Sequence, residues 1–282
     1  MSRQRGMALI QALLIVAALA AVAAALMLRA GQATERLALR QQAVQASVYL
    51  DGAVEQLRAT LPRDGPVTTR QPWAQPRAGV RIGDATLSWQ VEDLQGRFNL
   101  TALLTDPQEA WRDAFVRLAR GAGLAGSVAR RVAARLAAMP ALSPATPWAL
   151  TEDTETRQVW SDLQPLIAAL PDAEGLNVNT LSPAVLAALA PALSGGDRDA
   201  LLRHVATEPA SEIAALIDWA RRSLGDGPAG VLAVLPLTTG SRWFLARLEV
   251  RLDSLVLRRS VVLRSGGPTG RFAVILSMPE FD

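Results

Sequence analysis

The hydrophobic and polar positions divide the chain into a long apolar run, a helical stretch with one apolar face, and a mixed remainder. From Met7 to Leu28 there is no charged residue, and Gln11 is the one polar side chain. This run reaches the roughly 20 residues that a helix needs to cross a bilayer. Arg3 and Arg5 precede it, which favours a cytoplasmic N-terminus and places the rest of the chain outside the cytoplasm.

Three interpretations of this N-terminus remain open. A cleavable secretory signal has a shorter apolar core and a small-residue cleavage site, which Ala23 to Ala25 would provide. An uncleaved signal anchor needs only the apolar run. In the third interpretation, the short basic leader that ends in Gly6 resembles the class III leader of type IV pilins and pseudopilins. That resemblance implies that a prepilin peptidase cleaves between Gly6 and Met7 and that Met7 becomes N-methylated.

The pattern after the apolar run predicts that the helix continues. Good helix formers fill the stretch up to Pro62, the first proline of the chain. Apolar side chains recur every three or four residues on one face, at Leu39, Ala43, Ala46, Leu50, Ala53, Leu57 and Thr60/Leu61. We therefore expect one helix from Met7 to Leu61 whose second half packs on a globular domain. The periodicity alone also fits an anchor followed by an unrelated helix.

Two stretches with a β pattern flank a helical, alanine-rich stretch. The sequence VRIGDATLSWQVEDLQGRFNL predicts strands at 80–82 and 86–91, with a hairpin turn at Gly83-Asp84. The later predicted elements are helices opening at Asp106-Pro107, at Ser127 (to Met139), at Ser182-Pro183 (to about Leu193) and at Ser211, then strands at 243–252, 256–263 and 272–278.

One sheet interrupted by a helical insertion explains this order economically, because both β stretches need the same apolar cover. The predicted fold class is α+β: a pilin-like long N-terminal helix packed on a small antiparallel sheet, with a large all-helical domain inserted between strands. Two separate domains remain an alternative. The predicted division is leader peptide 1–6, transmembrane helix 7–28, periplasmic half of the long helix 29–61, first part of the pilin-like α/β domain 62–100, inserted helical domain 101–226 and second part of the β region 227–282.

Composition excludes several classes of site. Cysteine is absent, which excludes disulfides, thiol nucleophiles and zinc–cysteine centres. The formal charge is only +3, so the chain carries no large positive field. Its cationic side chains are all arginine. The single histidine, His204, lies in the helical stretch LLRHV and is interpreted as a surface or packing residue. With no phosphate loop or nucleophile elbow in the sequence, we predict that the protein is not an enzyme.

Two segments resemble the K-type minor pseudopilin of bacterial type II secretion, the GspK family. DLQGRFNL, at 93–100, is similar to the segment that ends the first β part in that family. WSDLQPLIAALPDAEGLNVNTLSPAVLAAL, at 160–189, is similar to its helical insertion. The residues that carry the family motif are Asp93, Gly96, Arg97, Asn99, Asn177, Asn179 and Thr180. Together with the leader and the terminal β region, the resemblance covers most of the chain in the correct order.

This resemblance implies a function in protein export. It implies a place at the tip of the periplasmic pseudopilus, in a complex with the I-type and J-type minor pseudopilins, where the chain helps to start assembly for the export of folded proteins. It further implies contacts with other pseudopilins, prepilin peptidase and the inner-membrane secretion platform. The implied location is the cell inner membrane, single-pass, with a cytoplasmic N-terminus and a periplasmic C-terminal domain.

Gln11 is the fifth residue counted from Met7, where most pilins and pseudopilins have a glutamate read as pairing with a neighbour's N-terminal amine. An unpaired carboxylate in a bilayer costs several kcal/mol, so it needs such a partner. A subunit at the tip has no neighbour above it, and a neutral Gln11 therefore fits the tip position. Taken alone, a tolerated amide in a membrane helix explains Gln11 equally well.

No cofactor is predicted. Some members of the family bind calcium, which takes several oxygen ligands. Glu152, Asp153 and Glu155 cluster in the sequence but show no fixed ligand spacing, so we interpret them as a solvated loop and name no metal residues. Many members carry an acidic stretch early in the insertion, whereas the region from Val128 to Trp148 contains no acid.

The alternative function is that of a membrane-anchored DNA-binding protein. NVNTLSPAVLAAL, at 177–189, also resembles the opening of helix-hairpin-helix domains, which hold DNA phosphates through backbone amides. However, the following turn at 192–197 lacks the Gly-x-Gly spacing of those domains, and only Arg198 and Arg203 lie close to it. Non-specific DNA binding relies on many Lys or Arg contacts, so we do not expect a nucleic-acid partner.

Overall fold

The computed structural model describes residues 2–104, 109–150, 157–171, 175–266 and 271–280, and within them the side chains of 2–12, 15 and 157–159 are not described. The N-terminal backbone forms a single helix, α1, from Ser2 to Thr60, which contains 59 residues. At 1.5 Å per residue, α1 is about 88 Å long. The predicted long N-terminal helix is therefore confirmed.

The described side chains of α1 up to Gln41 are all exposed. They include large apolar ones, with Leu13 61%, Met27 75% and Leu28 70% exposed. By length and composition, α1 is the one helix among the described residues that could span a membrane, and it lies near the N-terminus. So much bare apolar surface fits a transmembrane anchor, because lipid would cover it.

The second half of α1 buries one face against the sheet. The buried side chains are Ala46, Leu50, Ala53, Val54, Leu57 and, just past the helix, Leu61. The predicted face was too long, because Leu39 is 55% exposed and Thr60 is also exposed. Leu39 is exposed because the sheet does not extend as far along α1 as this residue. Gln42, one turn later in α1, donates a hydrogen bond of 3.0 Å to Asp253 in a turn at the end of the sheet.

The strands form one five-stranded antiparallel sheet and two short parallel pairs. The strands in chain order are β1 Arg77–Ile82, β2 Ala85–Asp93, β3 Phe98–Asn99, β4 Ile167–Ala168, β5 Leu176–Asn177, β6 Leu237–Thr238, β7 Trp243–Leu252, β8 Leu255–Arg264 and β9 Ala273–Glu280. The large sheet has the order β1-β2-β7-β8-β9. Because β2 pairs directly with β7 although about 150 residues separate them, the two predicted β stretches belong to one sheet.

The predicted turn between the first two strands is confirmed at Gly83-Asp84. Gly83 has a φ of +58°, and a Cβ there would lie 2.8 Å from the hydroxyl oxygen of Tyr49 on α1. Glycine is therefore required twice, by the left-handed backbone and by the close approach of the helix.

Eight helices lie between β2 and β7 in the described chain. They are α2 Ala110–Gly121, α3 Gly126–Ala137, α4 Thr146–Ala149, α5 Arg157–Leu163, α6 Pro183–Leu189, α7 Gly195–Thr207, α8 Ile213–Ser223 and α9 Asp226–Val234. We call this part the helical block. It confirms the predicted insertion between strands of one sheet, although the pairs β3–β4 and β5–β6 add short β structure to it.

Several predicted helix ends differ from the structure. Ser127 lies inside α3 instead of capping it, because the N-cap position is Ala125. The helix from Pro183 ends at Leu189, since the residue before Pro191 is pushed out of the helical region. The predicted opening at Asp106-Pro107 lies outside the described residues. The predicted boundary at residue 226 remains a prediction, but α9 packs into the core of the helical block.

The helical block lies at the end of the sheet that is farther from the anchor. Near the anchor, Gln42 of α1 contacts the turn between β7 and β8. At the other end of α1, Arg58 donates a hydrogen bond of 2.5 Å to the carbonyl of Phe272, just before β9. β2 and β8 therefore run away from the anchor. The block leaves the sheet after Asp93 and returns at Trp243, both at this distal end.

The sheet and the helical block have separate cores. Under α1, the ring centroids of Trp73 and Phe244 are 5.1 Å apart, and those of Phe244 and Phe272 are 5.5 Å apart, both edge to face. A second core fills the helical block. A small third cluster joins the opposite face of the sheet to the block, and its buried members are Leu94, Ala168, Leu170, Trp243, Leu245 and Val262.

We expect Leu50→Ala to lower the free energy of unfolding by roughly 2–5 kcal/mol, because the change leaves a cavity under α1. Leu39→Ala is the matched control, since this exposed leucine should change stability by no more than about 0.5 kcal/mol. Urea denaturation of the full chain in detergent, followed by tryptophan fluorescence, measures both. Equal losses for the two variants would show that the packed face of α1 has been placed wrongly.

Candidate functional site

The carboxylate of Asp93, the last residue of β2, accepts four hydrogen bonds. Its Oδ1 accepts from the backbone N–H of Gln95 at 2.8 Å and from the hydroxyl of Ser241. Its Oδ2 accepts from the Asn177 amide at 2.7 Å and from the Thr180 hydroxyl at 2.6 Å. We call these five residues the Asp93 junction, because they join the end of the sheet to the helical block.

Local backbone structure brings the two motif segments together. Asp93 caps a short 3₁₀ turn at Leu94–Gly96, which directs the chain out of the sheet and into the block. Gly96 then passes directly against the second segment, and a Cβ at this position would overlap the carbonyl oxygen of Thr180. Only glycine permits this approach, which explains its place in the motif.

The two asparagines of the second segment extend the network in both directions. Besides Asp93, the Asn177 amide donates to the carbonyl of Val67 at 3.0 Å, in the loop between α1 and the sheet. Asn179 forms a reciprocal pair with the backbone of Ala210, at 2.9 Å and 2.8 Å. Because Asn177 also accepts from the N–H of Asn179 at 3.1 Å, one continuous network links sheet, loop and block.

Asn99 and Arg97 hold the first segment from the other side. Asn99 Oδ1 accepts from the N–H of Leu170 at 3.0 Å, which fixes β3 beside β4. Arg97, whose side chain is 7% exposed, forms an ion pair with Glu92, and Glu92 forms a second one with Arg247 on β7. Burial lowers the pKa of Arg97, and the charge of Glu92 raises it in part.

Burial raises the pKa of the Asp93 carboxyl above its usual range, and the four hydrogen bonds lower it in part. A buried carboxylate is costly unless donors surround it, and each oxygen here has two. Two of the four donors, the backbone N–H of Gln95 and the side-chain amide of Asn177, can only donate, so the position favours aspartate, which accepts at both oxygens.

The structure brings all the predicted motif residues of the globular part into one region, the Asp93 junction and its immediate neighbours. Sequence reasoning missed two members, Gln95 and Ser241. Gln95 stood in the motif but showed no distinguishing pattern, and Ser241 lies far along the chain. Gly6, Met7 and Gln11 are in α1, and their side chains lie outside the described part of the structure.

The chemistry of the Asp93 junction is that of a structural joint. A cavity of about 280 Å³ borders it, but the charged groups there, Glu92 and Arg97, are paired with each other. Within the described ranges, no group of three or more acidic or histidine side chains could hold a metal ion. The candidate calcium acids Glu152, Asp153 and Glu155 lie outside the described residues. The geometry holds two parts of the chain together and offers no free base.

The two other sequence candidates have structural explanations. His204 stacks on Trp219 with ring centroids 3.9 Å apart, so it packs α7 against α8. The segment that resembles a helix-hairpin-helix domain forms α6, and Ser194 and Asp197 cap the N-terminus of the next helix, α7, with a reciprocal pair of hydrogen bonds. The carboxylate of Asp197 would repel a DNA phosphate at this place.

A long N-terminal helix packed on an antiparallel sheet is the fold of a pilin-like subunit. This chain adds an apolar anchor and an inserted helical block to that fold. It is 30% identical over 234 residues to type II secretion system protein K of Pseudomonas aeruginosa, covering 66% of this chain and 68% of the relative. It is 27% identical to type II secretion system protein K of Pectobacterium carotovorum, covering 94% of each chain.

The chain therefore belongs to the type II secretion system protein K family of minor pseudopilins. Its fold is also similar to a chain in the crystal structure of the GspK–GspI–GspJ complex from enterotoxigenic Escherichia coli. That similarity has a TM-score of 0.69 at 19% identity and covers 88% of this chain and all of the solved one. No family model matches the sequence.

We expect Asp93→Ala to destabilise the protein by roughly 3–5 kcal/mol, because four donors, three of them on buried residues, lose their acceptor. Asp93→Asn should cost less, about 1–2 kcal/mol, since the hydroxyls of Ser241 and Thr180 can rotate and accept from the new amide. Asp84→Asn, in the exposed hairpin turn, is the control and should be nearly neutral. Urea titrations of the three variants give this order. If Asp93→Ala behaved like the control, the junction would not hold the fold together.

Proposed function

We propose that this chain caps the tip of the periplasmic pseudopilus and helps to start its assembly. The helical block is the part that makes it a cap. It would occupy the space above the sheet and discourage the addition of a further subunit there. The role is one of assembly and not of catalysis.

The observation that carries this proposal is the place of the helical block at the end of the sheet away from the anchor. The chain enters the block after Asp93 and leaves it before Trp243, and both lie opposite the turn that Gln42 contacts. A subunit that carries the helical block above its sheet can receive neighbours beside and below it. This arrangement supports a terminal position.

The N-terminus supports processing as a pseudopilin. We infer that prepilin peptidase cleaves between Gly6 and Met7 on the cytoplasmic side and that Met7 is then methylated. The helix that remains would anchor the chain in the inner membrane with the globular part in the periplasm. Gln11, at the fifth position of the processed chain, is neutral and so needs no partner charge in the bilayer, as a subunit without a neighbour above it requires.

The partners that we propose are the I-type and J-type minor pseudopilins, in addition to other pseudopilins and the inner-membrane secretion platform. The fold is similar to that of a chain solved as part of a GspK–GspI–GspJ complex. Helix α1 also offers a surface for neighbours, because Leu37, Val44 and Val48 are 56–65% exposed. At 100° per residue, these three side chains lie on the face opposite the buried stripe. Apolar residues on this face suit lateral packing by another long helix.

We predict that Gly6→Val prevents leader cleavage, because the peptidase would no longer find glycine before the scissile bond. The intact mass of the protein from native inner membranes should then include residues 1–6 and lack a methyl group. Gly31→Ala is the control, since nothing lies within 4 Å of a Cβ at this helical position, and it should be processed normally. A wild-type chain that starts at Met1 would contradict the assignment of a class III leader.

We predict that a label on the helical block decorates only one end of each pseudopilus. Val234 is 81% exposed at the end of α9. Because the chain has no cysteine, Val234→Cys gives a single gold-labelling site. Electron microscopy of extended pseudopili should show gold at one tip. Labels spaced along the fibre would contradict the capping role, and a Val234→Ser variant measures background labelling.

A further inference from the structure

The two edges of the five-stranded sheet differ in chemistry. At one edge, β1 carries the charged side chains of Arg77 and Arg81, and its register shifts between Arg77 and Val80. Charged side chains keep an edge strand from pairing with another chain. Both edge strands have one irregularity in register, so charge is the feature that distinguishes them. The edge at β1 is therefore protected against pairing with a strand of another chain.

The opposite edge at β9 has no such protection along most of its length. From Ala273 to Met278 there is no charged residue and no proline or glycine. A bulge at Ile275 places two successive β-branched side chains at the edge, with Val274 43% and Ile275 42% exposed. In the described chain, β8 is the only strand paired with β9. The outer backbone groups of β9 therefore have the chemistry that an added strand would satisfy.

Strand direction excludes the simplest partner, an identical β9 in a two-fold dimer. β8 runs away from the anchor, and β9 is antiparallel to it, so β9 runs toward the membrane. Two copies of β9 paired antiparallel would point their α1 helices in opposite directions. One membrane cannot hold both anchors in that arrangement. An antiparallel addition from the same membrane must come from a strand that runs away from it.

The position of α1 indicates where such a strand would come from. Helix α1 packs mainly over β7 and β8, so β9 is the nearer of the two edges. Neighbouring strands lie about 4.8 Å apart, and packed parallel helices lie about 8–10 Å apart. A second anchored helix on this side of α1 would therefore stand just beyond β9, with its own sheet beside that edge.

We propose that β9 accepts an extended, uncharged strand of a neighbouring pseudopilin that is anchored in the same membrane and is not a second copy of this chain. The strand runs away from the membrane and pairs antiparallel to β9, beside Val274 and Ile275. This assignment rests on the proposed function, because it requires a tip complex with other pseudopilins.

Site-specific crosslinking tests the proposal on the full chain. Since the chain has no cysteine, Val274→Cys and the matched Val80→Cys on β1 each carry one benzophenone-maleimide label. Both variants are co-expressed with the I-type and J-type pseudopilins in the native host, extracted in detergent and irradiated. We expect a crosslink from position 274 to one of these two chains, and at least a fivefold weaker one from position 80.

A charge at the edge is the second test. Ile275→Lys should reduce the partner recovered with the tagged chain by roughly tenfold, whereas Val80→Lys should leave it within about twofold of wild type. Thermal melting of each variant checks that it is folded. Exposures of 42% for Ile275 and 37% for Val80 give each new lysine access to water, so we expect both variants to fold.

The outcomes separate this proposal from the proposed function. If the three chains co-purify but position 274 crosslinks to neither partner, or Ile275→Lys has no effect, the role of β9 is overturned and the tip complex stands. A crosslink only to another copy of this chain also overturns it. If no complex forms with the wild type, the proposed function fails, and the proposal for β9 fails with it.

Discussion

The fold depends on one buried carboxylate. Asp93 ends β2, the neighbour of the central strand β7, and accepts hydrogen bonds from the adjacent turn and from two distant parts of the chain, the segment at Asn177–Thr180 and Ser241 before β7. A buried charge is tolerated only when donors surround it, so these parts must meet in one arrangement. This requirement fixes where the helical block leaves the sheet and where it returns.

Because the Asp93 junction fixes the sheet and the helical block relative to each other, their two cores can have different functions. The core under α1 attaches the globular part to a long apolar helix, and the core of the helical block supports a separate body at the far end. Beside the polar junction, a small apolar cluster around Trp243 also joins the sheet to the block. A polar joint is directional in a way that apolar packing is not, because hydrogen bonds require particular distances and angles. The orientation of the block relative to the anchor is therefore specified.

The fold class and most elements could be predicted from the sequence, because periodicity reports which face of each element is buried. The extent of the buried face of α1 could not, since Leu39 has the correct spacing but the sheet ends before it. The motif residues were identified by resemblance to the family. Their shared hydrogen-bond network could not be predicted, because Asp93 and Thr180 meet only in the folded chain. Ser241 was missed because an isolated serine carries no pattern, and only the fold gives it a partner.

We propose that the Asp93 junction places the helical block on the side of the pilin-like domain away from the membrane, where it would end the assembly. Cryo-electron microscopy of the full chain in detergent, purified with its I-type and J-type partners, tests this claim most directly. We expect all anchors to leave one end of the particle and the helical block to form the opposite end, with no other subunit above it. A block that lies against the detergent micelle, or a partner domain stacked on top of it, would show that the block does not end the assembly.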